Sequence, residues 1–200
     1  MINNRQQRLL QNMDDREILF HLYATQTLMI VAAIIFGFFL FPDFKSFKEL
    51  WNLFDFRIIL YGGGIALFVI ITDLLFMKYL PNELIDDGGL NEKIFQHRSI
   101  PHIFFLTIVI AFSEELLFRG VIQTHFGIVV ASVIFALLHF RYLQKWVLFT
   151  SVIFLSFLLG YMFLKTNNLF VTTFAHFLID FILAVRLRLN YISSKRHSKR

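Results

Sequence analysis

Six windows of about twenty predominantly apolar residues recur along the chain, near positions 22–41, 58–77, 102–122, 126–142, 146–164 and 168–187. Each is long enough to carry an α-helix across the roughly 30 Å hydrocarbon core of a bilayer. Of 200 residues, 57% are hydrophobic and 16% charged, more apolar surface than a soluble domain of this size has use for. Phenylalanine occurs 27 times, often beside Leu or Ile, which suits a lipid-facing exterior. The expected fold is all-α: a polytopic membrane protein of about six transmembrane helices.

Only one connection is long and polar, residues 78–101, where Pro81, Gly88, Gly89 and Pro101 mark a loop. It separates an N-terminal part, residues 1–77, from a four-helix core, residues 102–187, that ends in a basic tail, residues 188–200. The N-terminal part is read as an amphipathic interfacial lead followed by two transmembrane helices. The stretch "PDFKSFKELWNLFDFR" between those two helices mixes aromatics with charges, as an interfacial segment does. There is no cysteine, so disulfides, thiolate metal sites and cysteine nucleophiles are excluded. The first apolar stretch follows a long charged lead without an A-x-A site, so no cleavable signal peptide is expected.

The net charge of +5 does not read as a nucleic-acid signal, because much of the excess lies in "RLRLNYISSKRHSKR", directly after a span. A basic end in that place points to the cytoplasmic face and to anionic lipid headgroups. With the N-terminus inside, the inner segments hold Arg5, Arg8, Arg16, Lys78, Lys93, Arg98, Arg141, Lys145 and the cations of the tail. The outer segments hold Lys45, Lys48, Arg57 and Lys165. A cell-membrane protein with both termini cytoplasmic is therefore expected.

An ionisable side chain near the bilayer centre costs at least about 2.5–3.5 kcal/mol, so each one inside a span asks for a partner and a task. Three sets stand out. "AFSEELLFRG" carries Glu114, Glu115 and Arg119. Glu115 and Arg119 are four apart and share a helix face, whereas Glu114 is turned about 100° away. An intrahelical ion pair accounts for Glu115 and Arg119 but leaves Glu114 without a purpose. "FALLHF" places Phe135 and His139 one turn apart on a face that Ala131 continues; His139 alone could equally be an interfacial histidine beside Arg141. "HFLID" places His176 and Asp180 one turn apart, with Thr172 on the same face. A polar seam that glues helices together uses Thr and His, but rarely an aspartate.

Together these sets supply carboxylates and imidazoles on neighbouring helices, enough to activate water. Glu114 or His139 suits a general base, and His176 suits a donor to the oxyanion formed when water attacks an amide carbonyl. The side chains Glu114, His139, His176 and Asp180 could instead ligate a divalent metal such as zinc. The linear H-E-x-x-H motif is absent, so spacing lends the metal no support.

"EELLFRG", "FALLH" and "HFLID" resemble, in order, the EExxxR, FxxxH and HxxxN/D motifs of the CAAX protease and bacteriocin-processing family of intramembrane endopeptidases. The resemblance spans roughly residues 80–187. It implies that Glu114 is the glutamate that activates water, helped by His139, and that Glu115 and Arg119 are its supporting pair. It implies that His176 and Asp180 stabilise the oxyanion or bind a metal, since such enzymes have been described both as zinc proteases and as metal-independent glutamate proteases. The CAAX-processing branch typically has Asn where this chain has Asp180. An ionised aspartate cannot donate to an oxyanion, and its one-turn spacing from His176 suggests that it orients the ring.

The expected function is an intramembrane endopeptidase acting on a membrane-associated protein or a peptide precursor. A non-catalytic immunity or signalling protein of the same fold is the alternative. A small transporter is disfavoured, because no pair of broken half-helices occupies matching positions of two repeats. At 1.5 Å per residue, Glu114 lies about 18 Å from the inner edge of its span and His176 about 10 Å from the outer edge of its own. His139 comes out several ångströms further in, and the cavity falls in the outer half.

Overall fold

The computed structural model describes residues 13–143 and 145–197. Most of the amphipathic lead, residues 1–12, lies outside the described residues, as does the end of the tail, residues 198–200. No strand occurs among the described residues, and five helices are long and apolar enough to cross a membrane. The protein is an all-α polytopic membrane protein.

Helix α1 runs from Asp15 to Leu40. Asp14 caps it: its carboxylate accepts from the Arg16 and Glu17 amides, and the Glu17 side chain accepts from the Asp14 amide. The helix begins at this cap and continues without a break into the apolar run, so residues 15–20 are its first turns rather than a separate interfacial helix. A short helix, α2 (Phe44–Lys48), follows. A π-helical turn, Ile58–Gly62, then leads into α3 (Gly63–Tyr79). Gly62 is required where α3 meets the last helix, because a Cβ there would stand 2.8 Å from the Val171 carbonyl oxygen.

The polar connection holds two short helices, α4 (Asn82–Ile85) and α5 (Leu90–Phe95). Between them Gly88 and Gly89 take φ of 82° and 80°, a left-handed backbone that glycine adopts without a Cβ clash. The Asp86 and Asp87 side chains accept from the two glycine amides. Ile94 and Phe95 of α5 are buried against Ile18, Ile103, Leu106 and Ala184, which seals one end of the bundle.

Helix α6 (Ile100–Glu115) passes through a π-helical segment, Leu116–Gln123, into α7 (Thr124–Leu138). This 39-residue run is not one rod. Gly127 has φ 83° and ψ 167°, and the chain reverses there. On a straight helix Phe118 and Phe135 would stand about 25 Å apart; their ring centres are 4.9 Å apart. The segment expected as a fourth full span is thus the returning limb of a hairpin. Its eleven helical residues after Gly127 cover about 16 Å, half the hydrocarbon core.

After a 3-10 turn (Phe140–Tyr142), α8 runs from Trp146 to Thr166 and α9 from Leu169 to His197. At Gly160 of α8 a Cβ would lie 2.8 Å from both Gln123 and Ile128, so α8 approaches the α6–α7 hairpin closely there. The α8–α9 turn is tied to the segment after α2. Leu169 N donates to Leu50 O at 2.8 Å, and Asn168 donates to Asn52 O at 2.8 Å and to Asp55 at 3.1 Å. Arg57 closes this clamp with a forked pair to Asp55, 2.7–2.9 Å. Asp55 is held well below the usual carboxylate range, chiefly by the Arg57 hydrogen bonds.

The opposite end carries the polar connection. Lys145 Nζ donates to Glu83 O at 2.9 Å, Arg98 pairs with Asp15 at 3.4 Å, and Arg188 donates to Gln96 O. Both described ends of the chain therefore emerge at the same end of the bundle.

Candidate active site

The two adjacent glutamates close α6, where it packs along α9. Glu115 is fully buried and Glu114 is 8% exposed. Beyond them the helix widens, and Arg119 lies inside that π-helical segment, 1% exposed. A buried guanidinium must be paired. Arg119 Nε lies 3.3 Å from Glu115 Oε2, Nη2 donates to Ser156 O at 3.0 Å and Oγ at 3.2 Å, and the group sits 5.0 Å over the Phe135 ring. The Glu115–Arg119 pair expected from the sequence thus also anchors α8. Ser156 was not legible as its partner, because one serine in an apolar run carries no distinctive signal.

His176 enters from α9. Its Nδ1 lies 3.0 Å from Glu115 Oε1, while Nε2 stands 3.9 Å from Glu114 Oε2 and 3.6 Å from Asp180 Oδ2. The Asp180 carboxylate, one turn away on the same helix, stands beyond hydrogen-bond distance, and the contact that sets the ring comes from Glu115 on the other nitrogen. An ionised Glu115, paired with Arg119, can only accept, so His176 Nδ1 carries the proton and Nε2 faces Glu114 and Asp180.

His139 caps the end of α7 and is half-buried. Its Nδ1 lies 2.9 Å from Phe135 O. A carbonyl accepts only, so Nδ1–H donates there and the lone pair of the neutral ring is on Nε2. No ion pair joins His139 to a carboxylate among the described residues. Phe135 links it to the rest: its ring, 2% exposed, lies 4.6 Å from the His139 ring and 6.4 Å from that of His176. The Ala131–Phe135–His139 face is therefore the one turned inward, with Ala131 1% exposed.

The reversal at Gly127 also sets Glu114 and His139 at similar heights along the hairpin. Glu114 lies thirteen residues before Gly127 and His139 twelve after it, so the hairpin sets them about 20 and 18 Å from its turn. The offset expected between them came from treating α7 as a full span. The more exposed members, half-buried His139 and Asp180 with its side chain 30% exposed, lie on the side of the polar connection.

Residues 96–182 match the family described as type II CAAX prenyl endopeptidase Rce1-like. Over 175 residues the chain is 53% identical to the uncharacterized protein YpbD of Bacillus subtilis (strain 168), covering 88% of this chain and 93% of that protein. The chain belongs to the Rce1-like family. No solved structure matches it.

Among the described residues of this Rce1-like protein no group of three His, Asp or Glu side chains is arranged to hold a metal ion. Zinc takes three or four ligands at about 2.0–2.2 Å. His176 Nδ1 is engaged by Glu115, which leaves Nε2 turned toward Glu114 at 3.9 Å and Asp180 at 3.6 Å. One further carboxylate was missed in the sequence. Asp73 of α3 is half-buried and near enough to Asp180 for the two charges to interact. Its signal, a lone acid in the apolar run 58–77, is the same one that singled out Asp180.

Proposed function

We propose that this Rce1-like protein is an intramembrane endopeptidase that hydrolyses a peptide bond of a membrane-associated protein or peptide precursor. The observation that carries this reading is the unequal placement of the two glutamates. Glu115 is consumed by Arg119 and His176, while Glu114 makes no hydrogen bond among the described residues and meets His176 Nε2 only at 3.9 Å. A carboxylate outside that closed network, at the edge of a partly dry site, is suited to take a proton from water.

In the proposed reaction a water hydrogen-bonds to Glu114 and to the Nε2 lone pair of His139. Glu114 takes one proton as the water oxygen attacks the amide carbonyl carbon, and the carbonyl becomes an oxyanion. His176, doubly protonated and held through Nδ1 by Glu115, donates from Nε2 to that oxyanion. Glu114 then returns the proton to the leaving nitrogen, the C–N bond breaks, and the oxyanion collapses to a carboxylic acid, whose remaining proton passes to His139 Nε2 as the carboxylate product forms. Arg119 and Phe135 position these groups without touching substrate. Substrate enters from the end that carries the polar connection, and the positive-inside asymmetry puts that end in the cytoplasm.

The test uses purified full-length protein in detergent with a quenched library of membrane-tethered peptides. Cleavage lost in Glu114→Gln and His139→Ala but retained with a chelator supports the mechanism. Loss on chelation restores a metal. Wild type inert toward every peptide, with all variants folded, supports the non-catalytic binding protein instead.

A further inference from the structure

Helix α9 is too long for the membrane it crosses. Its 29 residues span about 43 Å against a hydrocarbon core of about 30 Å. Taken from Leu169, the core is crossed by about residue 188, so the last two turns stand at the level of the lipid headgroups. There, Arg188, Tyr191 and Lys195 recur at i, i+3 and i+7 on one face. With His97, Ile192 and Arg196 they line an open cleft of about 420 Å³.

Tyr191 is the centre of this cleft. The His97 ring meets it edge-on at 4.8 Å, Lys195 Nζ lies 4.8 Å from its centroid and the Arg188 guanidinium 6.0 Å. Arg188 uses one donor on Gln96 O, which ties α9 to the residue after α5. Two formal cations thus flank one phenol ring, Arg196 adds a third to the cleft, and no Asp or Glu lines it among the described residues. The nearby carboxylate of Asp15 pairs with Arg98 instead. Like charges gathered without a counter-charge repel, and an anion seated among them removes that cost. A tyrosine flanked by Arg and Lys at the end of a span is also the composition that anchors proteins at a membrane interface.

We infer that the cleft formed by His97, Arg188, Tyr191, Lys195 and Arg196 binds the phosphodiester headgroup of an anionic phospholipid. Free phosphate shares the chemistry, but the cleft stands where the helix leaves the hydrocarbon, so a headgroup reaches it with its acyl chains still in the bilayer. The site is independent of the candidate active site and does not rest on peptidase activity.

The test is native mass spectrometry of the full-length protein in neutral detergent, titrated with phosphatidylglycerol or phosphatidylcholine. Wild type is expected to retain phosphatidylglycerol at least about tenfold better, as several interfacial cations together provide. R188Q/K195Q/R196Q is expected to abolish that preference, and Tyr191→Ala to weaken it. A control, K45Q/K48Q/K165Q, removes the same charge elsewhere and is expected to keep the preference; thermal unfolding and size exclusion check that each variant is folded. Equal loss in the control, or no preference in wild type, overturns the site. Displacement of the lipid by millimolar inorganic phosphate alone overturns the headgroup assignment in favour of a free-anion site.

Discussion

The Glu115 carboxylate sits 3.0 Å from His176 Nδ1 and 3.3 Å from Arg119 Nε, so one fully buried side chain joins α6 to α9 and, through Arg119, to Ser156 of α8. Its neighbour Glu114 makes no comparable contact. Adjacent and chemically identical residues therefore hold different positions: one inside a closed network, the other at the edge of a site.

Substituting the two glutamates should separate these positions. Glu114→Gln is expected to lower peptide cleavage by about 10²–10⁴-fold with little change in thermal stability, as loss of a general base does. Glu115→Gln leaves a buried guanidinium without its counter-charge and is expected to cost about 3–5 kcal/mol of stability. Thermal unfolding and cleavage rates measured on the same preparations check both. Equal stability losses would contradict the separation.

Asp180→Asn tests what holds the His176 ring. Because Glu115 provides the contact on Nδ1, and Asp180 stands 3.6 Å from Nε2, the variant is expected to keep cleavage within about tenfold of wild type. A loss as large as that of Glu114→Gln would assign the orienting role to Asp180.

Two glycines should respond for different reasons. Gly62→Ala drives a Cβ to 2.8 Å from the backbone oxygen of Val171, which cannot move aside, and is expected to cost about 1–3 kcal/mol by overpacking α3 against α9. Gly127→Ala meets no atom within 4 Å, but φ 83° with ψ 167° is a conformation essentially reserved for glycine, and the strain is expected to cost about 1–3 kcal/mol. Thermal unfolding measures both losses. A compensating Val171 substitution should rescue neither, since the clash at Gly62 is with backbone.

The Asp55–Arg57–Asn168 clamp makes a pH prediction. The Arg57 hydrogen bonds hold the Asp55 carboxyl below its unfolded value of about 3.9. A depressed folded value means that the contribution is complete above the unfolded value and is lost as the pH falls through the folded one. The difference in Tm between wild type and Asp55→Asn is therefore expected to be constant above about pH 5 and to shrink below about pH 4. A difference that persists unchanged at pH 3 would show that the carboxylate charge is not what the clamp uses.

Much of this protein is legible in its sequence, because the bilayer restricts the choices. Runs such as 146–164 and 168–187 must be helices, since lipid offers their backbone no other partner. Glu114, His139, His176 and Asp180 stand out because charge and imidazole in such runs need a reason. Spacing alone also put Glu115 and Arg119 on one face. What the linear chain could not express was which contacts close between helices. The reversal at Gly127 depends on one backbone conformation, and an apolar run reads the same whether it crosses the membrane or turns back within it. The partners of Arg119 and the ring contact of His176 come from α8 and α6, 37 and 61 residues away in the chain. The sequence by itself determined that buried charges exist on three segments. Only the tertiary structure decided how they pair, because in a low-dielectric interior the pairing follows from distances of a few ångströms between helices, and no local periodicity encodes those.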